Sequence, residues 1–184
     1  MSSNVNPVCP TGCVGVPAEN TYNFCTQTIV TGEVDHVFLS AGDAECFTNW
    51  ALPGEWAVRI SEDSLDPDTI RRYRGKGTLP EGTQDEVEIS LFQKWYSEKT
   101  FVLPFEVEDV SDENYEAMRT MECNNLLKGW FSAGGYLFGG NCGLDVSIKA
   151  NYKIDAGCKT LHKIMLSFTW ESQFSPQRTP NPIA

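Results

Sequence analysis

Apolar and polar positions alternate strictly along two stretches near the end of the chain, residues 145–155 and 161–174. In the first, Val146, Ile148, Ala150, Tyr152 and Ile154 interleave with Ser147, Lys149, Asn151, Lys153 and Asp155. In the second, Ile164, Leu166, Phe168 and Trp170 interleave with Lys163, Met165, Ser167, Thr169 and Glu171. Successive side chains of a strand point to opposite faces, so this period predicts two arms of an antiparallel hairpin, each with one buried and one wet face. Phe101, Leu103, Phe105 and Val107 make a third such face. Pro104 lies among them and lacks an amide proton, which predicts an edge strand or one open to solvent on one side. The framework is therefore expected over residues 101–174.

Between these strands the pattern changes. Ser111 followed by Asp112 and Glu113 reads as a helix N-cap with an acidic first turn, and Val110 is placed to staple onto Tyr115. The helix is expected to reach about residue 124, with Tyr115, Met118 and Met121 packed and Glu122 wet. Gly134-Gly135 and Gly139-Gly140 then suit tight turns between short aromatic strands. Upstream, residues 28–40 predict a strand or hairpin, with Gly32 at a turn or bulge. Pro53, Glu55, Trp56 and Ile60 fit a short helix opened by proline, with Trp56 and Ile60 one turn apart. In the run 85–91, Val87, Ile89 and Leu91 are expected to face inward and Glu86 and Glu88 outward.

These elements make a mainly β domain: an antiparallel β-sandwich or β-barrel-like unit over residues 28–174, with one or two short helices. Residues 1–27 are broken by Pro7, Pro10, Gly12, Gly15 and Pro17, and residues 175–184 carry three prolines. Both are expected to be extended arms. At 184 residues the chain is long enough for a core of its own. Its apolar runs are too short to span a bilayer, which takes about 20 residues. The opening residues carry neither the positive charge nor the apolar stretch of a secretion signal.

A net charge of −11 repels phosphate backbones and anionic membranes, so neither nucleic acid nor membrane is the expected partner. Against that background the only basic cluster, Arg71, Arg72, Arg74 and Lys76, is the candidate partner-binding site. Its competing explanation is cross-strand pairing with Glu86 and Glu88 within the chain.

The seven cysteines are an odd number, and reduced, mostly buried thiols are the default expectation. A particle assembled in a cell and then released is the exception, since some pairs could then oxidise. Cys9, Cys13, Cys25 and His36 contain the ingredients of a Cys₃His zinc knuckle, but the first pair is spaced by three rather than two and no second close pair follows. No metal or other cofactor is expected, and a sheet histidine held by its neighbours is the plainer reading of His36. Asp63, Asp66 and Asp68 lack the glycine and spacing of a calcium loop. With His36 and His162 as the only histidines, no nucleophilic elbow and no phosphate loop, no catalytic residue is assigned. Trp50, Trp56, Trp95 and Trp130 are core anchors or, if exposed together, a sugar-stacking platform.

Three stretches carry a resemblance. Residues 32–40, Phe47-Thr-Asn-Trp50 with Glu55-Trp56, and residues 164–174 resemble virion structural proteins of tailed phages infecting Bacteroidetes, the crAss-like group. The resemblance implies a particle component, an auxiliary or decoration capsid protein, or a tail or head–tail connector component. Its partners would be the major capsid protein or neighbouring subunits, in a homo-oligomer or larger assembly put together in the host cytoplasm. A glycan- or surface-binding β-sandwich is the alternative from a different class.

Overall fold

The alternating stretches become the wall of a barrel. The computed structural model describes residues 32–60, 66–90, 93–107, 109, 111–123, 126–153 and 163–183, with the backbone alone at 89, 90, 93–95 and 122. In chain order the elements are β1 (Glu33–Ala41), α1 (Pro53–Arg59), β2 (Arg71–Thr78), β3 (Gly82–Thr83), β4 (Glu86–Ser90), β5 (Gln93–Tyr96), β6 (Lys99–Val107), α2 (Asp112–Cys123), β7 (Leu127–Ala133), β8 (Tyr136–Phe138), β9 (Leu144–Lys153), β10 (Lys163–Ser172) and β11 (Arg178–Pro180). Strands β1, β2, β6, β10, β9 and β7 lie side by side in that order, and β7 pairs back onto β1. All these pairings are antiparallel, so of the two architectures expected the chain adopts a closed six-stranded barrel with additional strands. Closure removes the exposed edges that an open sheet would carry.

The predicted hairpin is β9 and β10, in register from Lys163 opposite Lys153 to Thr169 opposite Ser147. Ile164, Leu166, Phe168 and Trp170 are all buried, and β6 adds Phe101, Leu103, Phe105 and Val107. With Val34, Val37, Leu39, Leu127, Phe131 and Val146 they fill the barrel interior, and Met118 and Met121 of α2 close one end. Tyr115 stands at the margin of this packed face, 40% exposed, its ring edge-on to Tyr152 at 5.6 Å. The Ser111 hydroxyl accepts the Asn114 N–H at 3.4 Å, as an N-cap does. Val110 and the Glu122 side chain lie outside the described residues.

A second core lies on the outside of the barrel wall. Val37, Phe38 and Leu39 are consecutive and all buried, because Val37 and Leu39 face the interior while Phe38 faces out. There Phe38, Phe47, Trp50, Trp56, Ile70, Trp130 and Leu137 pack together, with Ile60 and Ile183 against them. Helix α1 begins at Pro53 and delivers Trp56 to this cluster. The Glu55 carboxylate accepts the N–H groups of Thr48 and Asn49, which holds the preceding loop onto the helix. The Gly134-Gly135 turn has positive φ at both residues, the conformation required by the hairpin turn whose twist matches β7 and β8.

Four expectations are corrected. Residues 175–184 do not reach away as an arm over their described part: β11 pairs with β8, and Ile183 packs into the outer core. Of the two roles expected for Gly32 the bulge is corrected, since the register shift falls between Val34 and His36, while Gly32 itself stands in a bend just before β1 and residues 28–31 lie outside the described residues. The edge half of the Pro104 expectation is corrected, since β6 has β10 on one side and β2 and β3 on the other. Its second half, a position open to solvent on one side, agrees with Pro104 being exposed and unpaired on the β2–β3 side among the described residues. The register partners on that second side are Phe105 and Glu106 with β2, and Thr100 and Phe101 with β3, so Pro104 falls in the gap between them. Finally, Glu86 and Glu88 do not lie across a strand pair from β2. Among the described residues β4 pairs only with β5, because β1 and the apolar β6 already occupy both flanks of β2. Residues 1–27, the expected N-terminal arm, lie outside the described residues.

A candidate interaction surface on β2 and the β4–β5 hairpin

The alternation in β2 sorts its side chains by size and charge. Arg72, Arg74 and Lys76 are exposed on the outer face, while Tyr73, Gly75 and Gly77 point the other way. The two glycines are demanded by β6: a Cβ at Gly75 would stand 2.8 Å from the Phe105 ring, and one at Gly77 would stand 2.8 Å from the Pro104 carbonyl oxygen. Only a strand this thin lets Phe105 pass beneath it into the core. The proposed basic cluster is therefore divided. Arg72, opposite Phe38, Arg74, opposite His36, and Lys76, opposite Glu106, form a ladder. Arg71 falls on the other face and borders a recess of about 290 Å³ with Tyr73, Met121 and Leu127.

Among the described residues, neither Arg72 nor Arg74 has a hydrogen-bonding or ion-pairing partner for its side chain. The ladder lines an open groove of about 710 Å³ whose other walls are Glu33, Asp35, Asp109 and Asn114. Tyr73 lies at its floor, and burial raises the Tyr73 hydroxyl above its ordinary pKa, with Arg71 opposing.

The β4–β5 hairpin is the second exposed feature. Its base is clasped by Ser97, whose N–H donates to the Asp85 carbonyl at 2.9 Å and whose hydroxyl accepts the Asp85 N–H at 2.9 Å. Beyond that clasp Glu86 and Glu88 are exposed, Val87 is 49% exposed and Tyr96 52% exposed. The inward direction expected for Val87 is thus not met, since its side chain is half exposed, and the side chains of Ile89 and Leu91 lie outside the described residues.

The chain matches no protein-family model, no curated protein and no solved structure.

The remaining candidates are placed individually. His36 Nδ1 lies 3.3 Å from Asp35 Oδ2, and the ring stacks on Phe38 with centroids 6.2 Å apart. Asp35 also accepts the hydroxyl of Ser132, which is 1% exposed. The aspartate stands between serine and histidine, so the Ser132 hydroxyl meets a carboxylate and not the imidazole that a serine–histidine–aspartate triad places there. Cys9, Cys13 and Cys25 lie outside the described residues. Among the described residues no three His, Cys, Asp or Glu side chains converge on a common point. Asp68 caps the Glu45 N–H at 2.6 Å and Asp66 caps the Asp68 N–H at 3.0 Å, turn-building roles, while Asp63 lies outside the described residues.

Two cysteine expectations are overturned. Cys46 and Cys142 form a disulfide across 96 positions of sequence, drawn together because the Phe47 N–H donates to the Asn141 carbonyl at 2.8 Å. Cys123, instead of being a buried thiol, is free and exposed at the end of α2. Trp50, Trp56 and Trp130 are buried, as core anchors are, with the Trp56 and Trp130 indole N–H groups donated to the carbonyls of Trp50 and Gly140. The Trp95 side chain lies outside the described residues. The stand-off of the hairpin was the feature least visible in sequence. No local signal marks it, since the alternation of glutamate with Val87 and Ile89 in β4 is of the same kind as that of the wall strands β2 and β9.

Proposed function

We propose that this chain is a non-enzymatic structural protein that works by contact with neighbouring subunits, and that its setting is a phage virion. The observation that carries this reading is the β4–β5 hairpin, which pairs with no barrel strand among the described residues and leaves Val87 and Tyr96 about half exposed. A two-stranded ribbon with apolar side chains exposed is marginal on its own, and a neighbour that covers it supplies the missing burial. The cationic ladder of β2 is a second contact surface of opposite sign to the rest of the chain.

The resemblance to crAss-like virion proteins gives the reading its specific form, an auxiliary or decoration protein seated on the major capsid protein or on other subunits. The Cys46–Cys142 disulfide fits a particle that leaves the host cytoplasm for oxidising surroundings. A tail or head–tail connector component would use the same surfaces. The glycan-binding alternative loses Trp50, Trp56 and Trp130 as a stacking platform, since all three are consumed by the outer core.

Co-expression with the particle-forming proteins, followed by density-gradient banding, tests the proposal. The chain is expected to band with particles, and a variant lacking residues 1–27 to keep its circular dichroism but leave the particle band. A chain that never enters the band contradicts the proposal.

A further inference from the structure

The two charged ladders suit each other but cannot meet within one chain. Arg72 and Arg74 occupy alternate positions on the outer face of β2, and Glu86 and Glu88 occupy alternate positions on β4. Alternate residues of a strand are about 6.8 Å apart, so the spacing of the acids matches that of the bases. Within the chain, however, β1 and β6 flank β2, and β4 belongs to a separate ribbon.

We propose that β4 of one copy docks its Glu86–Glu88 face onto the Arg72–Arg74 face of β2 in a second copy. The proposal deepens the structural reading above and rests on it. Three observations select a second copy as the occupant. Arg72 and Arg74 are exposed and without a side-chain partner among the described residues, in a chain whose net charge is −11. The groove beside them is open and wide enough, at about 710 Å³, to take strand side chains. Tyr96 stands opposite Glu86 in the hairpin register, so its 52% exposed ring shares the docking face and can receive an arginine guanidinium. The flanking Glu33 and Asp35 set a limit on which strand fits, because a uniformly acidic partner would meet like charge at the groove wall. Because the two patches differ, the contact either reciprocates in a twofold dimer or propagates into a ring or array.

Sedimentation velocity on the full chain tests this, with Arg72→Glu/Arg74→Glu as one variant and Glu86→Lys/Glu88→Lys as the other. All four side chains are exposed, and circular dichroism checks that the fold is kept. The wild-type chain is expected to associate as concentration rises, each variant alone to associate at least tenfold more weakly, and an equimolar mixture of the two to recover the wild-type behaviour. Recovery on mixing is specific to this contact, because the acidic hairpin of one variant then meets the basic ladder of the other. A variant that associates like wild type, or a mixture that fails to recover, overturns the proposal. If the wild type associates but the substitutions have no effect, this contact is wrong and the structural reading stands. A monomeric wild type that still bands with particles likewise removes the contact alone, whereas one that also fails to band overturns both.

Discussion

At the scale of single residues, the least tolerant positions are those where a neighbour has taken the space of a side chain. A methyl group at Gly75 runs into the Phe105 ring and the Glu106 backbone, so Gly75→Ala is expected to cost about 1–3 kcal/mol in urea denaturation. Gly54, in the first turn of α1, has nothing within 4 Å of the same added atom, and Gly54→Ala is expected to stabilise by about 0.5 kcal/mol. The buried tryptophans divide in the same way. The Trp130 indole N–H donates to Gly140 at 2.8 Å, whereas that of Trp170 is buried without a partner among the described residues. Trp130→Phe should therefore cost about 1–3 kcal/mol more than Trp170→Phe, since only the first leaves a carbonyl without its donor. Tyr73 sets an alkaline limit. Its raised pKa means the folded chain holds the phenol proton more tightly than the unfolded chain, so this contribution is complete below about pH 10 and is lost as pH climbs through the raised value. In Tyr73→Phe the alkaline loss of stability should be shallower.

At the scale of elements, β4–β5 is attached to the molecule without belonging to its wall. Among the described residues it shares no strand pairing with the barrel, and its base is closed by the Ser97–Asp85 clasp. Replacing residues 86–96 by a short glycine-containing turn is expected to leave the unfolding free energy within about 0.5 kcal/mol of wild type while removing self-association. A loss of the barrel's near-ultraviolet circular dichroism in that variant would place the hairpin in the core after all. The elements differ in how plainly they could be read from sequence. β9, β10 and β6 were legible because strict alternation with large apolar residues leaves one burial solution. Both helices were legible from Pro53 and from Ser111 with its acidic followers. Barrel closure was not, since β1 pairs with β7 across roughly ninety residues, and such pairing leaves no local trace. The gap that accommodates Pro104 was equally hidden, because it depends on where β2 ends and β3 begins. The basic residues of β2 were visible as a cluster, but their division between two faces follows from the strand period and the partnerless state of Arg72 and Arg74 from the position of β4.

At the scale of the whole molecule, two cores are joined through one wall. The barrel interior lies on one side of β1 and β7, and the Trp56–Trp130 cluster lies on the other. The Cys46–Cys142 bond ties the α1 loop to the turn before β9 across 96 positions, and reduction is expected to lower unfolding free energy by about 2–4 kcal/mol, read from denaturation with and without reductant. Among the described residues the outer surface then carries what the cores leave over: an acidic field, a cationic ladder on β2 and a hairpin that exposes both glutamates and apolar side chains. Such a surface, on the reading proposed above, exists to meet other subunits. Light scattering on the purified full-length chain over a concentration series shows whether it does. The mass is expected to rise above the 20.5 kDa of one chain as concentration increases. A constant single-chain mass at every concentration would contradict the self-contact, and the same result from a chain that also fails to band with particles would contradict that reading as a whole.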